Sequence, residues 1–138
     1  MRRAGLFVAW AALAAACSGG DSPEQQAAQA ALSYYQLLVK GETAEFVEGR
    51  AGADTLSADL RQRLMKTHER YLADIHAKHG GLQAVALSDN APCRDSLTVA
   101  GRQPEVFYRT FLLLSFNDST QEEIVVPMVE QQGEWRMR

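Results

Sequence analysis

Between Ser22 and Val39 apolar residues recur at helical spacing. Ala27, Ala31, Tyr34 and Leu38 form one row, and Ala28, Leu32, Tyr35 and Val39 the row beside it. Two adjoining rows make a wide stripe, suited to packing on a sheet. Ser22 is placed as an N-cap, Pro23 fits the first helical position, and Gln25 completes a capping box. Gly41 supplies the stop. Glu42 to Glu48 reads as a short second helix with Phe46 and Val47 inward, ended by Gly49. Ser57 caps a third, long helix with Leu60, Leu64, Tyr71 and Ile75 on one face and Met65 and Leu72 alongside. Gly80-Gly81 ends it.

From Leu82 the period changes to two. Leu82–Leu87 is expected as a first strand and Asp95–Ala100 as a second, followed by a turn at Gly101-Arg102-Gln103-Pro104. Val106–Phe116 is long and almost wholly apolar, which places it mid-sheet. Asn117 to Thr120 forms a four-residue hairpin loop leading into Glu122–Glu130, where Pro127 implies a bulge or an edge. A turn at Gln131-Gln132-Gly133-Glu134 leads to Trp135–Arg138, with Trp135 and Met137 sharing the inner face. Helices first and a run of antiparallel strands afterwards is the α+β pattern: N-terminal helices packed on an antiparallel sheet.

The segment before these elements reads as an address. Met1-Arg2-Arg3 precedes an apolar run from Leu6 through Ala16, too short for a membrane-spanning helix of about 20 residues. It has the charged, apolar and small-residue regions of a secretory signal peptide, with cleavage before Cys17. Leu13-Ala14-Ala15-Ala16-Cys17 also resembles a bacterial lipoprotein signal, although Ala14 stands where a branched residue is usual. That resemblance implies residues 1–16 as the signal, acylation of Cys17, a flexible spacer to Ser22, and one domain over 23–138. It also implies anchoring through N-terminal acyl chains in the cell envelope, at the outer membrane.

Charge and chemistry narrow the function classes. The chain of 138 residues carries 14 basic and 17 acidic side chains, and losing Arg2 and Arg3 with the signal takes the formal net charge from −3 to −5. No Lys/Arg block is present, so no nucleic-acid partner is expected. With Cys17 acylated, Cys93 is left as a lone thiol in the Ala91-Pro92-Cys93-Arg94 loop and reads as a small hydrophobe. His68, His76 and His79 share the third helix without the His-Glu-x-x-His spacing, and read as solvated histidines near its C-terminal end; no metal and no cofactor is expected. Nucleophile elbows and phosphate loops are absent.

The order of these elements resembles a known fold. Paired tyrosines on the first helix, Lys40-Gly41-Glu42, a long helix ending in Gly80-Gly81-Leu82, and strands closing on Gly133-Glu134-Trp135-Arg136-Met137 are similar to the nuclear-transport-factor-2-like (cystatin-like) superfamily. Within it they resemble a group of small bacterial lipoproteins of unknown function. The resemblance, over Pro23 to Arg138, implies a cone: a strongly curved sheet wrapped around the long helix, with a pocket between them. Tyr34, Tyr35, Tyr71, Phe111 and Trp135 are the pocket candidates. Isomerases and cyclases of this superfamily pair a pocket Tyr with an Asp base; here Asp54 and Asp59 could fill that role, but one lies in a glycine-rich stretch and the other in a first helical turn. No catalytic residue is therefore assigned. The leading expectation is a non-enzymatic, lipid-anchored domain binding a small apolar ligand or a protein partner. An isomerase or cyclase is the second reading, and a structural subunit, homodimeric through the outer sheet face, the third.

Overall fold

The structure, a computed structural model, describes residues 20–138; the signal expected over 1–16 and Cys17 lie outside the described residues. Ser22 caps α1 (Pro23–Val39) reciprocally, accepting from the Gln25 amide at 3.2 Å while the Gln25 side chain accepts from the Ser22 N–H at 3.0 Å. After α2 (Thr43–Glu48) and a 3₁₀ turn at Ala53–Thr55, the Ser57 hydroxyl caps α3 (Ala58–His79) by accepting from Leu60 N–H at 3.1 Å. Gly80 ends α3 at φ 78°, a left-handed geometry that a β-carbon would strain.

Five antiparallel strands follow: β1 (Leu82–Leu87), β2 (Cys93–Leu97), β3 (Glu105–Phe116), β4 (Gln121–Gln131) and β5 (Glu134–Met137). β3 is central. β4 pairs with one of its edges, while β1 and β2 share the other, β1 against Leu112–Phe116 and β2 against Glu105–Arg109. β5 closes the sheet beyond β4, through a two-residue turn in which Gln132 and Gly133 both take positive φ. The architecture is α+β: helices packed on a curved, half-barrel antiparallel sheet.

Alternate positions of β3 decide the core. Thr110, Leu112, Leu114 and Phe116 are buried and face the helices. Leu112 joins Val126, Met128 and Met137 beneath Ala27, Ala31 and Leu38 of α1 and Phe46 of α2, while Leu114 and Phe116 pack with Ile75 of α3. The small residues Ala27 and Ala31 let α1 lie directly on the strands. Buried Thr110 is satisfied by donating its hydroxyl to the Val126 carbonyl at 2.7 Å.

Three expectations are corrected. β2 runs from Cys93 to Leu97 rather than from Asp95 to Ala100. Pairing Asp95 with Phe107 and Cys93 with Arg109 allows the Arg109–Asp95 ion pair at 3.2 Å and takes Cys93 out of a loop. Pro127 makes no bulge, since it pairs with Arg109 in unbroken register; the irregularity falls in β1 between Leu82 and Ala84. Its carbonyl accepts from Arg138 N–H at 2.9 Å, so its ring nitrogen faces away from β3 and the β3–β4 ladder loses no donor. Phe111 is the third case. It alternates with Thr110 and Leu112, so it faces outward, opposite the exposed Val125.

Backbone contacts tie α2 to β5: Met137 N–H donates to the Gly49 carbonyl at 2.8 Å and Ala51 N–H to the Met137 carbonyl at 2.7 Å. Gly49 permits this approach, because a β-carbon there would overlap the Tyr34 ring and lie 3.1 Å from Met137 Cε. Tyr34 cannot yield freely, since its hydroxyl donates to the Trp135 carbonyl at 2.6 Å. Gly49→Ala is therefore expected to cost about 1–3 kcal/mol through overpacking, read as a lower urea midpoint. An unchanged midpoint would show that Tyr34 is not locked against β5.

At its far end α3 is tied to the β3–β4 hairpin. His79 stacks on Phe116 with ring centroids 4.4 Å apart, its Nδ1 lies 2.7 Å from Asp118 Oδ2, and Asn117 Nδ2 donates to the Gly80 carbonyl at 2.8 Å. Hydrogen bonds from Thr120, then from His79, hold the Asp118 carboxyl down at about 2. Because this pKa is depressed on folding, the stabilisation is present above the ordinary value near 4 and disappears as pH falls towards 2. Asp118→Asn should accordingly lower the thermal midpoint at pH 7, and most of that deficit should be gone at pH 2. An equal deficit at both would show that the carboxylate charge contributes nothing.

Candidate functional site

α3 is tied to the β3–β4 hairpin at its C-terminal end and to α2 near its start, where Arg61 pairs with Glu48 and donates to the Ala53 carbonyl at 2.8 Å; between these ties it stands off the sheet. Of its 22 residues Ile75 alone is buried, while Leu60 and Tyr71 are 44% and 38% exposed despite their place on the apolar face. The space left between α3, α2 and β4 is a cleft of ≈ 130 Å³. Its apolar walls come from four elements: Tyr35 of α1, Phe46 of α2, Leu64 of α3, and Val126 of β4, with Met137 of β5 beside them. His68, Arg50 and Arg138 supply the strongly polar groups.

Phe46 organises the interior. Its ring meets Tyr35 edge-on at 5.2 Å and His68 edge-on at 4.8 Å, so it carries one side chain from α1 and one from α3. Burial, and then the nearby Arg50 guanidinium, push the His68 pKa below its ordinary value, leaving a neutral imidazole at pH 7. Burial likewise pushes the Tyr35 hydroxyl up to about 12, with Tyr71 adding to the effect. Tyr71 is raised by burial and then by Glu122. At neutral pH both tyrosines are donors, not phenolates. The cleft lining contains no Asp, Glu, Ser, Thr or Cys.

A second, polar crevice of ≈ 660 Å³ adjoins the cleft and shares Arg50 with it. Glu48, Asp54, Gln131, Gln132, Glu134 and Arg136 line it. Most of these charges are matched: Glu48 pairs with Arg61, and Arg136 pairs with Glu134 and donates to the Glu48 carbonyl at 2.9 Å. Arg138, on the cleft side, pairs with Glu105 at 2.9 Å and lies over Phe107. The Arg50 side chain has no ion-pair or hydrogen-bond partner among the described residues.

The five pocket candidates separate. Tyr35 lines the cleft. Tyr71 lies near it on α3, close enough to raise the Tyr35 pKa. Tyr34 and Trp135 bind each other instead: besides the Tyr34–Trp135 hydrogen bond, the indole meets Tyr108 edge-on at 5.2 Å and its N–H donates to Gln26 at 3.3 Å. Phe111 is on the opposite face of the sheet. Of the two acids considered as bases, Asp54 lines the crevice and Asp59 is exposed, paired with Arg63 at 3.0 Å.

Arg50 and His68 were not among the candidates. His68, expected as a solvated helix residue, is half-buried because α3 turns it onto Phe46. Its place among Leu64 and Tyr71, at i−4 and i+3, was the available signal. Among the described residues no group of three or more His, Cys, Asp or Glu side chains is placed to hold a metal ion.

No protein-family model matches the sequence, and no curated protein gives a significant match. Among solved structures the chain is similar to a Campylobacter jejuni protein described provisionally as an NTF2-like transpeptidase. The TM-score is 0.55 at 11% identity, over 79% of this chain and 94% of that one. The shared feature is the nuclear-transport-factor-2-like fold.

Proposed function

We propose that this domain is a non-enzymatic binding module, anchored in the bacterial envelope through acyl chains on Cys17, that takes a small apolar group into the α1–α2–α3–β4 cleft. The observation that carries the reading is the cleft itself. It is an apolar concavity built from four elements, with a few polar groups at fixed places and no nucleophile or carboxylate in its wall. A dry cavity of about 150 Å³ accommodates benzene, so a cleft of ≈ 130 Å³ suits one ring or a short branched chain.

The similar C. jejuni protein is described as a transpeptidase, and acyl transfer through a covalent intermediate needs an activated Ser, Thr or Cys. Cys93 begins β2, opposite Arg109, and is not part of the cleft wall. The isomerase reading retains one specific support: His68 is neutral at pH 7 and shares the cleft with the Tyr35 hydroxyl. That pair offers a base and a donor, without the paired carboxylates of a ketosteroid-type site.

Thermal unfolding of the 23–138 domain with benzyl alcohol, beside an assay for ketone isomerisation and cyclisation, tests these readings together. A ligand at ten times its Kd adds about 1.4 kcal/mol, or roughly 5 °C in Tm for a domain of this size. Saturable stabilisation without turnover is the expected result. Turnover that disappears in His68→Gln would replace the binding module with an enzyme, and a flat Tm across the titration would remove the cleft as a binding site.

A further inference from the structure

We infer that the ligand is a monoanionic amphipathic carboxylate: its apolar end enters the cleft, its carboxylate pairs with Arg50, and a neutral hydrogen-bonding remainder extends into the polar crevice. This rests on the cleft reading above and adds the chemistry of the ligand to it.

Arg50 is the residue common to both cavities. Its backbone is fixed by the Gly49 and Ala51 hydrogen bonds to Met137, which bracket it in a short parallel bridge with β5. The side chain projects from this rigid mount and remains exposed and unpartnered among the described residues, whereas Arg136 and Arg138 beside it are each engaged by a glutamate. A guanidinium whose fork is open binds a carboxylate through two parallel N–H···O bonds.

The surroundings select the charge and size. On the cleft side Leu64, Phe46 and Val126 accept an apolar group of about one ring, and His68 is uncharged there at pH 7. On the crevice side Glu48, Asp54 and Glu134 stand near Arg50. Glu48 and Glu134 are already paired with Arg61 and Arg136, so Asp54 is the crevice carboxylate without an ion-pair partner among the described residues, and beside it a single open guanidinium matches a monoanion better than a phosphate dianion. Gln131 and Gln132 suit amide or hydroxyl groups on the remainder.

Binding of benzoate, benzamide and phenyl phosphate to the 23–138 domain, by isothermal titration at pH 7 and low salt, tests this directly. Benzoate should bind about tenfold or more tightly than benzamide, the contribution of one hydrogen-bonded charge pair, and phenyl phosphate should bind more weakly than benzoate. Arg50→Met keeps the length of the side chain and loses its charge, and should bring benzoate down to the level at which the same variant binds benzamide. Equal binding of benzoate and benzamide by the wild type, preference for phenyl phosphate, or a benzoate preference that survives in Arg50→Met would each overturn the carboxylate assignment while leaving the cleft reading intact. If none of the three binds to the folded domain, the cleft reading fails and this one with it.

Discussion

Phe46→Ala is expected to lower the unfolding free energy by about 3–5 kcal/mol, against a total of about 5–15 kcal/mol for a domain of this kind. Phe46 is 4% exposed and belongs to the principal core cluster with Leu38, Leu112 and Met128. Its loss removes a large buried side chain and, with it, both edge-on contacts that join α1 to α3 through α2. The ties that remain at this end, from Arg61 to Glu48 and to the Ala53 carbonyl, keep α3 in place, so the opening does not close by collapse. Equilibrium urea unfolding provides the measurement. Phe46→Leu should recover more than half of the loss, since it restores most of the buried volume but not the aromatic contacts. A loss below about 1 kcal/mol in Phe46→Ala would mean that the cleft floor is not part of the folding core.

The second large effect concerns the membrane. In the full chain, Cys17→Ser should move the protein from the detergent phase to the aqueous phase of a phase-separation assay. Each buried CH₂ contributes about 0.8 kcal/mol, and one acyl chain binds marginally whereas two or more anchor firmly. The effect is therefore close to all or none. In sequence, Cys17 and Ser18-Gly19-Gly20-Asp21 come before α1, which starts at Pro23, and a short Gly/Ser-rich stretch suits a tether between a lipid and a domain. Wild-type protein that remains aqueous and incorporates no labelled palmitate would contradict the lipid anchor.

Much of the architecture was legible because local rules and tertiary packing agree. Ser22, Gln25, Ser57 and Gly80 mark helix ends by their own hydrogen-bonding and backbone chemistry, and the structure uses each of them so. The length and apolarity of β3 located the centre of the sheet. The same apolarity concealed which face points inward: Phe111 and Leu112 are equally hydrophobic, and the alternation that would separate them is absent. β2 was misplaced by register, because its position depends on the cross-strand Asp95–Arg109 pair rather than on its own pattern. Trp135 and Met137 do share the inner face, both packing into the principal cluster.

The site was harder to see. Tyr34 and Tyr35 are adjacent in sequence, yet helical rotation sends one hydroxyl to the Trp135 carbonyl and the other side chain into the cleft. Arg50 sits in what reads as a glycine-rich connection. Its importance comes from β5, more than eighty residues later, holding its backbone at the junction of two cavities. Such a residue has no local signature. His68 was discounted as a helix-surface histidine because its burial depends on Phe46 from another element.

Amide chemical-shift mapping of the 23–138 domain during titration with benzoate tests the central claim most directly. Saturable shifts should be confined to Phe46, Val47, Arg50, Leu64, His68, Val126 and Met137, with the outer-face residues Phe111 and Leu113 unmoved. No shifts at saturating benzoate, or shifts centred on that outer face of β3, would contradict a ligand site in the cone.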